Sequence, residues 1–212
     1  LLFDDDLTFD GVTGSYRQDM FGRDDAFFVN LGGFALLAES PNLVGGGAND
    51  KYWWGTQVGL EFDITEDLGL MLVGSYYDFV NVVGKYNDLN STGNDWTAPE
   101  FIAKGNTVFD IRNDLDPDSN LFGLASDFEL ASAMVELAYR GFSPVDVVFR
   151  VDYVENIGFD SGAVSSRVGY DVAERTQGWF TELEVGSPDV REKGQWQLFA
   201  GYKSLERDAV LD

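Results

Sequence analysis

The chain has 212 residues, with 14 Lys plus Arg against 37 Asp plus Glu and a formal net charge of −23, so no nucleic-acid partner is expected. Cys and His are both absent, which removes disulfides, thiolate and imidazole metal ligands, and every catalytic arrangement built on those side chains. No apolar run of about 18 residues occurs, so no transmembrane helix is expected, whereas a strand that crosses a bilayer needs only about 9–11 residues. Aromatic residues make up 15% of the chain, which argues against disorder. The chain opens at Leu1 without a charged-then-apolar leader, so no signal peptide is expected within it.

The apolar pattern repeats every second residue, the period of a strand with one greasy and one wet side. A first strand is expected near 8–17. In 26–38 both faces carry apolar residues, and Gly32–Gly33 interrupts the middle. Over 52–64, Trp54, Thr56, Val58, Leu60, Phe62 and Ile64 alternate with Gln57, Gly59, Glu61 and Asp63. Segment 69–79 reads as a strand whose outward face the pattern does not decide. Over 128–140, Ala131, Ala133, Val135, Leu137 and Tyr139 oppose Ser132, Glu136 and Arg140. Over 145–155, Val145, Val147, Phe149, Val151 and Tyr153 oppose Asp146, Arg150 and Asp152. Over 174–186, Trp179, Leu183 and Val185 oppose Thr176, Glu182 and Glu184. Over 194–204, Trp196, Leu198, Ala200 and Tyr202 oppose Gln195, Gln197 and Lys203.

The connections between these eight strands run to roughly 8, 13, 4, 48, 4, 18 and 7 residues, so short and long alternate as in an up-and-down transmembrane barrel. A soluble sandwich with Greek-key crossovers has no reason to alternate. Pro41, Pro99, Pro117, Pro144 and Pro188 all fall in connections, as a sheet without edge strands requires. Aromatics gather at strand ends. Tyr52, Trp53, Trp54, Tyr76, Tyr77, Phe79, Phe128, Tyr153 and Tyr202 adjoin long connections, while Phe62, Tyr139, Phe142 and Trp196 adjoin short ones, an arrangement that predicts two interfacial girdles.

Six stretches carry a resemblance to a known family: LLFDDDLTFDGV at 1–12, LVGSYYDF at 72–79, GNTVFDI at 105–111, LFGLASDFEL at 121–130, DYVENIGFD at 152–160 and GQWQLFAGYKSLERDAVLD at 194–212. In this order they resemble the "putative porin" family of Gram-negative outer membranes. The resemblance implies a β-barrel larger than eight strands, of which this chain is a piece lacking both ends. It also implies a place in the cell outer membrane, contact with its lipid and lipopolysaccharide, and passage of small hydrophilic solutes or ions. A homo-oligomer is compatible with it, and no cofactor is implied.

On this reading Gln57, Glu61, Asp63, Glu136, Arg140, Arg150, Asp152, Glu182, Glu184 and Lys203 line the pore. Val58, Leu60, Leu137, Phe149, Val151, Val185 and Leu198 face lipid. The lining holds more acids than bases, which predicts a preference for cations. The 80–127 connection is far longer than an ordinary loop, and its apolar residues need somewhere to pack, so it is expected to tuck inward and narrow the pore. Asp114, Asp116 and Asp118 have the two-residue spacing of calcium ligands, but Ser119 stands where the loop glycine belongs and Ala125 where the bidentate Glu belongs. An acidic turn is the expectation there, as it is for Asp4, Asp5 and Asp6. Gly45, Gly46 and Gly47 lack the lysine of a phosphate loop. No pair of carboxylates stands out as a catalytic couple, so no enzyme is expected. The alternative is a soluble β-sandwich that binds carbohydrate through exposed Trp and Tyr.

Overall fold

A computed structural model describes residues 10–20, 25–37, 50–99, 105–114, 116 and 118–211. Asp4, Asp5, Asp6, Pro41, Pro117, Phe101, Ile102 and the glycines at 45–47 lie outside the described residues, as does the start of the first expected strand.

Eight strands form one antiparallel sheet: β1 (Asp10–Asp19), β2 (Ala26–Leu37), β3 (Lys51–Asp63), β4 (Leu68–Val80), β7 (Phe128–Phe142), β8 (Val145–Asn156), β9 (Gln177–Gly186) and β10 (Gln197–Leu205). Neighbours in the sheet follow chain order, with β4 beside β7, so the sheet is an up-and-down meander without crossovers. Within the 81–127 connection a small hairpin pairs β5 (Val108–Asp110) with β6 (Phe122–Leu124). A short helix, α1 (Ser161–Val168), lies between β8 and β9. No described helix is long and apolar enough to cross a membrane. The sheet is open: β1 and β10 are its edges, and they are not paired with each other.

The predicted strands are present with shifted ends. β9 and β10 begin later than the pattern suggests, leaving Thr176, Gln195 and Trp196 in connections, and Ile64 follows the last residue of β3. The register sorts every strand onto two faces, because directly opposed residues share a side. One face carries Val29, Val58, Leu72, Val135, Val151 and Leu183 and is apolar through its middle, with Asp78, Glu129 and Glu155 at the end where the long connections emerge. Its side chains are uncovered: Val58 is 43% exposed, Phe149 44% and Leu198 68%. The opposite, polar face carries the charges. The pattern left β4 undecided, and pairing now places Leu70, Leu72 and Tyr76 on the apolar face and Met71, Val73, Tyr77 and Phe79 on the polar one.

The buried core lies on the polar face, at the end of the sheet where the long connections emerge. Phe79, Phe128, Leu130 and Val154 from the strands pack there with Val82, Leu124 and Val210, flanked by Trp53 and Tyr77. A second cluster joins Phe109, Ile111 and Ala125 of the hairpin region to Val164 of α1 and Val172. The hairpin is thus apolar on both sides, toward the sheet and toward α1. Trp53, Tyr77, Phe79 and Phe128 therefore do not belong to an interfacial girdle as expected from their position at strand ends. They point into the covered side, where the hairpin provides their apolar environment. Tyr52, Trp54, Tyr76, Tyr153 and Tyr202 remain on the apolar face.

Candidate functional site

The polar face is graded along the strands. Nearest the short connections lies a charged belt. Arg17 on β1 reaches across β2 to Glu61 on β3 in a bidentate pair, Nη1 to Oε1 at 2.7 Å and Nη2 to Oε2 at 2.8 Å. Arg140 on β7 lies 3.6 Å from Asp63 on β3, reaching over β4 at Gly69, whose missing side chain leaves the path open. Arg150 on β8 sits between two acids, donating through Nη2 to Glu136 Oε2 at 2.6 Å and through Nη1 to Glu182 Oε1 at 2.8 Å. Gln197 on the edge strand β10 donates to Glu184. Asp152 and Lys203 occupy the next level, on either side of Phe180. One step further come small neutral groups, Asn30, Gln57, Ser75 and Ser132, with Asn30 Nδ2 donating to Gln57 Oε1 at 2.8 Å. Beyond them the face turns aromatic and runs under the hairpin.

All ten residues expected to line a pore therefore share this face, and the seven expected to meet lipid share the other. Sequence reasoning missed Arg17, whose strand was given no faces, and Lys51, the first residue of β3. Around Arg17, Glu61, Asp63, Glu136 and Arg140 the belt lines an open hollow of about 460 Å³. The bases within it are engaged by carboxylates, while the acids outnumber them, so the belt presents an excess of negative charge to whatever lies above it.

Above the aromatic end lies a cap made of the connections. Lys51 Nζ donates to the carbonyls of Thr97 and Ala98, at 3.2 and 2.8 Å, and so ties the 81–127 connection to β3. Gly84 and Gly123 cross in contact, and a Cβ on Gly84 would stand 2.8 Å from the Gly123 Cα. The Gly84 amide donates to the Leu124 carbonyl at 2.9 Å. Arg167 at the end of α1 donates to the Ala125 carbonyl at 2.7 Å, and Tyr86 donates its hydroxyl to the Arg167 carbonyl at 2.7 Å. Just before β7, partial desolvation holds the Asp127 carboxyl above the ordinary carboxylate range. Its amide bond from Phe128 and the nearby Arg167 oppose that shift, and the Glu129 and Asp78 carboxylates add to it.

The calcium-like spacing serves the backbone instead. Asp114 Oδ1 accepts from the Asp116 amide at 3.1 Å, Asp116 Oδ1 from the Asp118 amide at 3.0 Å, and Asp114 Oδ2 from the Ser119 hydroxyl at 3.0 Å. Such turns consume the oxygens that a cation would need. Among the described residues, no three acidic side chains converge to hold a metal ion.

No curated protein and no solved structure matches the chain. A family model described as "Putative porin" matches residues 1–212.

Proposed function

The chain belongs to the putative porin family, and from that premise we propose that it forms the wall of an outer-membrane diffusion channel for small hydrophilic solutes, with cations favoured. The observation that carries the reading is the uncovered apolar face of a meander whose other face is charged. A soluble domain buries such a face against a second layer. Among the described residues the only second sheet, β5–β6, lies on the polar side, and nothing packs on the apolar one. A hydrocarbon bilayer covers such a face at no desolvation cost, and strand pairing satisfies the backbone within it. Gln57, Glu61, Asp63, Glu136, Arg140, Arg150, Asp152, Glu182, Glu184 and Lys203 then border water, whereas Val58, Leu60, Leu137, Phe149, Val151, Val185 and Leu198 border lipid.

The size of the cap supports a barrel wider than these strands alone would make. A barrel of about eight strands is filled by its own side chains. The polar face already holds a hairpin, backed by a helix, so further strands between β10 and β1 are needed to enclose it. In such a barrel the 81–127 connection narrows the pore, and outer-membrane lipid and lipopolysaccharide surround the wall.

Reconstitution into planar bilayers tests the proposal. Stepwise conductance with a cation-selective reversal potential in a KCl gradient is expected. Excision of 85–122, joining Gly84 to Gly123 where the fold already brings them into contact, is expected to raise the conductance markedly. Folded protein that inserts without conducting would overturn the channel reading. Unchanged conductance after the excision would overturn the constriction.

A further inference from the structure

The 81–127 connection leaves β4 and returns to β7, yet it is also fastened to chain far from either. On one side Lys51 of β3 holds it at Thr97 and Ala98. On the other side the fastening comes from 206–211, the segment that follows β10. Thr107 donates its amide to Asp208 Oδ1 and its hydroxyl to Asp208 Oδ2, both at 2.7 Å. Asn106 Nδ2 donates to the carbonyls of Arg207 and Val210, at 3.1 and 2.7 Å. Asn156, the last residue of β8, donates to the Asp208 carbonyl at 3.1 Å, and the Asp208 amide donates to the Arg175 carbonyl at 2.9 Å. Asp208 is completely buried, as is Ala209, and Val210 enters the core cluster beneath the hairpin.

We infer that 206–211 is a clasp, with Asp208 as its node, that fixes the 81–127 connection as a strap across the polar face and thereby sets the width of the channel. The inference rests on the pore reading above. β10 is separated from β4 by three intervening strands, so the clasp joins points on opposite sides of the covered region. A loop tied only at its ends can swing away from the wall. One tied at Lys51 and again at Asp208 is held across it. The node is polar and buried, which makes it exacting: removing one partner leaves the others desolvated and unpaired. Apolar packing alone would hold the strap less specifically, because it tolerates sliding. Asp208 and Thr107 are therefore positioning residues; they lie in the cap, away from the charged belt.

The test compares Asp208→Ala, Thr107→Val and Thr107→Ser in the whole protein, with heat-modifiable migration on gels reporting an intact barrel. Tryptic cleavage at Arg112, inside the strap, reads the clasp without reference to conduction. Asp208→Ala and Thr107→Val are expected to speed that cleavage by about tenfold or more, the order of effect when hydrogen bonds to a buried carboxylate are lost. In bilayers they are expected to raise conductance toward that of the 85–122 excision and to add flicker. Thr107→Ser, which keeps the hydroxyl, is expected to behave as the parent on both measures. Should Asp208→Ala not assemble, Thr107→Val, which removes a single donor, decides alone. Parental cleavage rates with an intact barrel would overturn the clasp. Faster cleavage with parental conductance would overturn its control of the pore. A parent that does not conduct at all, yet shows the cleavage difference, would sink the pore reading and leave the clasp standing.

Discussion

Gln57 and Val58 are adjacent in β3 and point to opposite sides, one to Asn30 and the other to the uncovered apolar face. Their difference in environment is a measurable energy. Val58→Arg, near the middle of the strand, is expected to cost about 2–4 kcal/mol in refolding titrations into lipid vesicles, the range for a cation at the bilayer midplane. Gln57→Arg is expected to cost far less, and equal costs would contradict the facing. Arg150 offers a second contrast. It lies between Glu136 and Glu182, so Arg150→Ala leaves both carboxylates without their base. Its reversal potential in a KCl gradient is expected to shift toward stronger cation preference, and Glu182→Gln is expected to shift the other way. These residues were legible in the sequence because polar residues at most alternate positions leave one consistent assignment of faces. Arg17 was not, since the short alternation of Val12 and Tyr16 in its strand was not enough to assign faces, and only its partner Glu61 reveals it.

At the scale of elements, the two strands with uncertain patterns, β2 and β4, are ones whose polar face runs under the cap. Phe79 and Tyr77 of β4 are apolar on the side where the alternation calls for polar residues, because the hairpin and not water lies above them. The alternation thus failed where tertiary packing replaced solvent. Helix α1 escaped notice for another reason: at eight residues it has too few turns to show a period. Its ends were nonetheless written in the sequence. Asp160 caps the first turn by accepting from the Gly162 and Ala163 amides, and Gly169, with φ of 80°, stops the helix. The hairpin depends on close backbone approach. A Cβ on Gly123 would lie 2.7 Å from the Gly84 Cα, and neither backbone can yield without moving the strap. Gly123→Ala is expected to destabilise the cap by about 1–3 kcal/mol, the usual cost of overpacking. Hydrogen exchange at the Gly84 and Ala125 amides should accelerate accordingly, while the strand amides of β3 and β8 keep their protection. Uniform acceleration throughout the sheet would mean that the crossing supports the wall and not the cap.

The molecule as a whole carries a net charge of −23, far more than the belt itself holds. Its contribution to cation preference is long-ranged and therefore salt-dependent. Raising KCl from about 0.1 M to about 1 M shortens the screening length from roughly 10 to 3 Å. On the channel reading, cation preference is expected to weaken over that interval without vanishing, since a solute crossing the polar face would meet the ionic groups of the belt at contact distance. A preference independent of salt would assign selectivity to the belt alone. The all-β antiparallel class, the strand order and the sorting of faces outside β1, β2 and β4 were readable from period and spacing. The cap was not, because its contacts join residues that no periodicity connects. The cap's fastening also has a temporal meaning. Each strand of the wall pairs with one that is near it in the chain, except across the 81–127 excursion. The Thr107–Asp208 bonds, by contrast, join residues 101 positions apart. Local pairs close early and distant ones late. Assembly is thus expected to be ordered: the wall zips up strand by strand, and the strap locks only after β10 has taken its place. On the proposed channel reading, the pore would be wide and leaky until that last contact forms, and the final step of folding would also be the step that sets its bore.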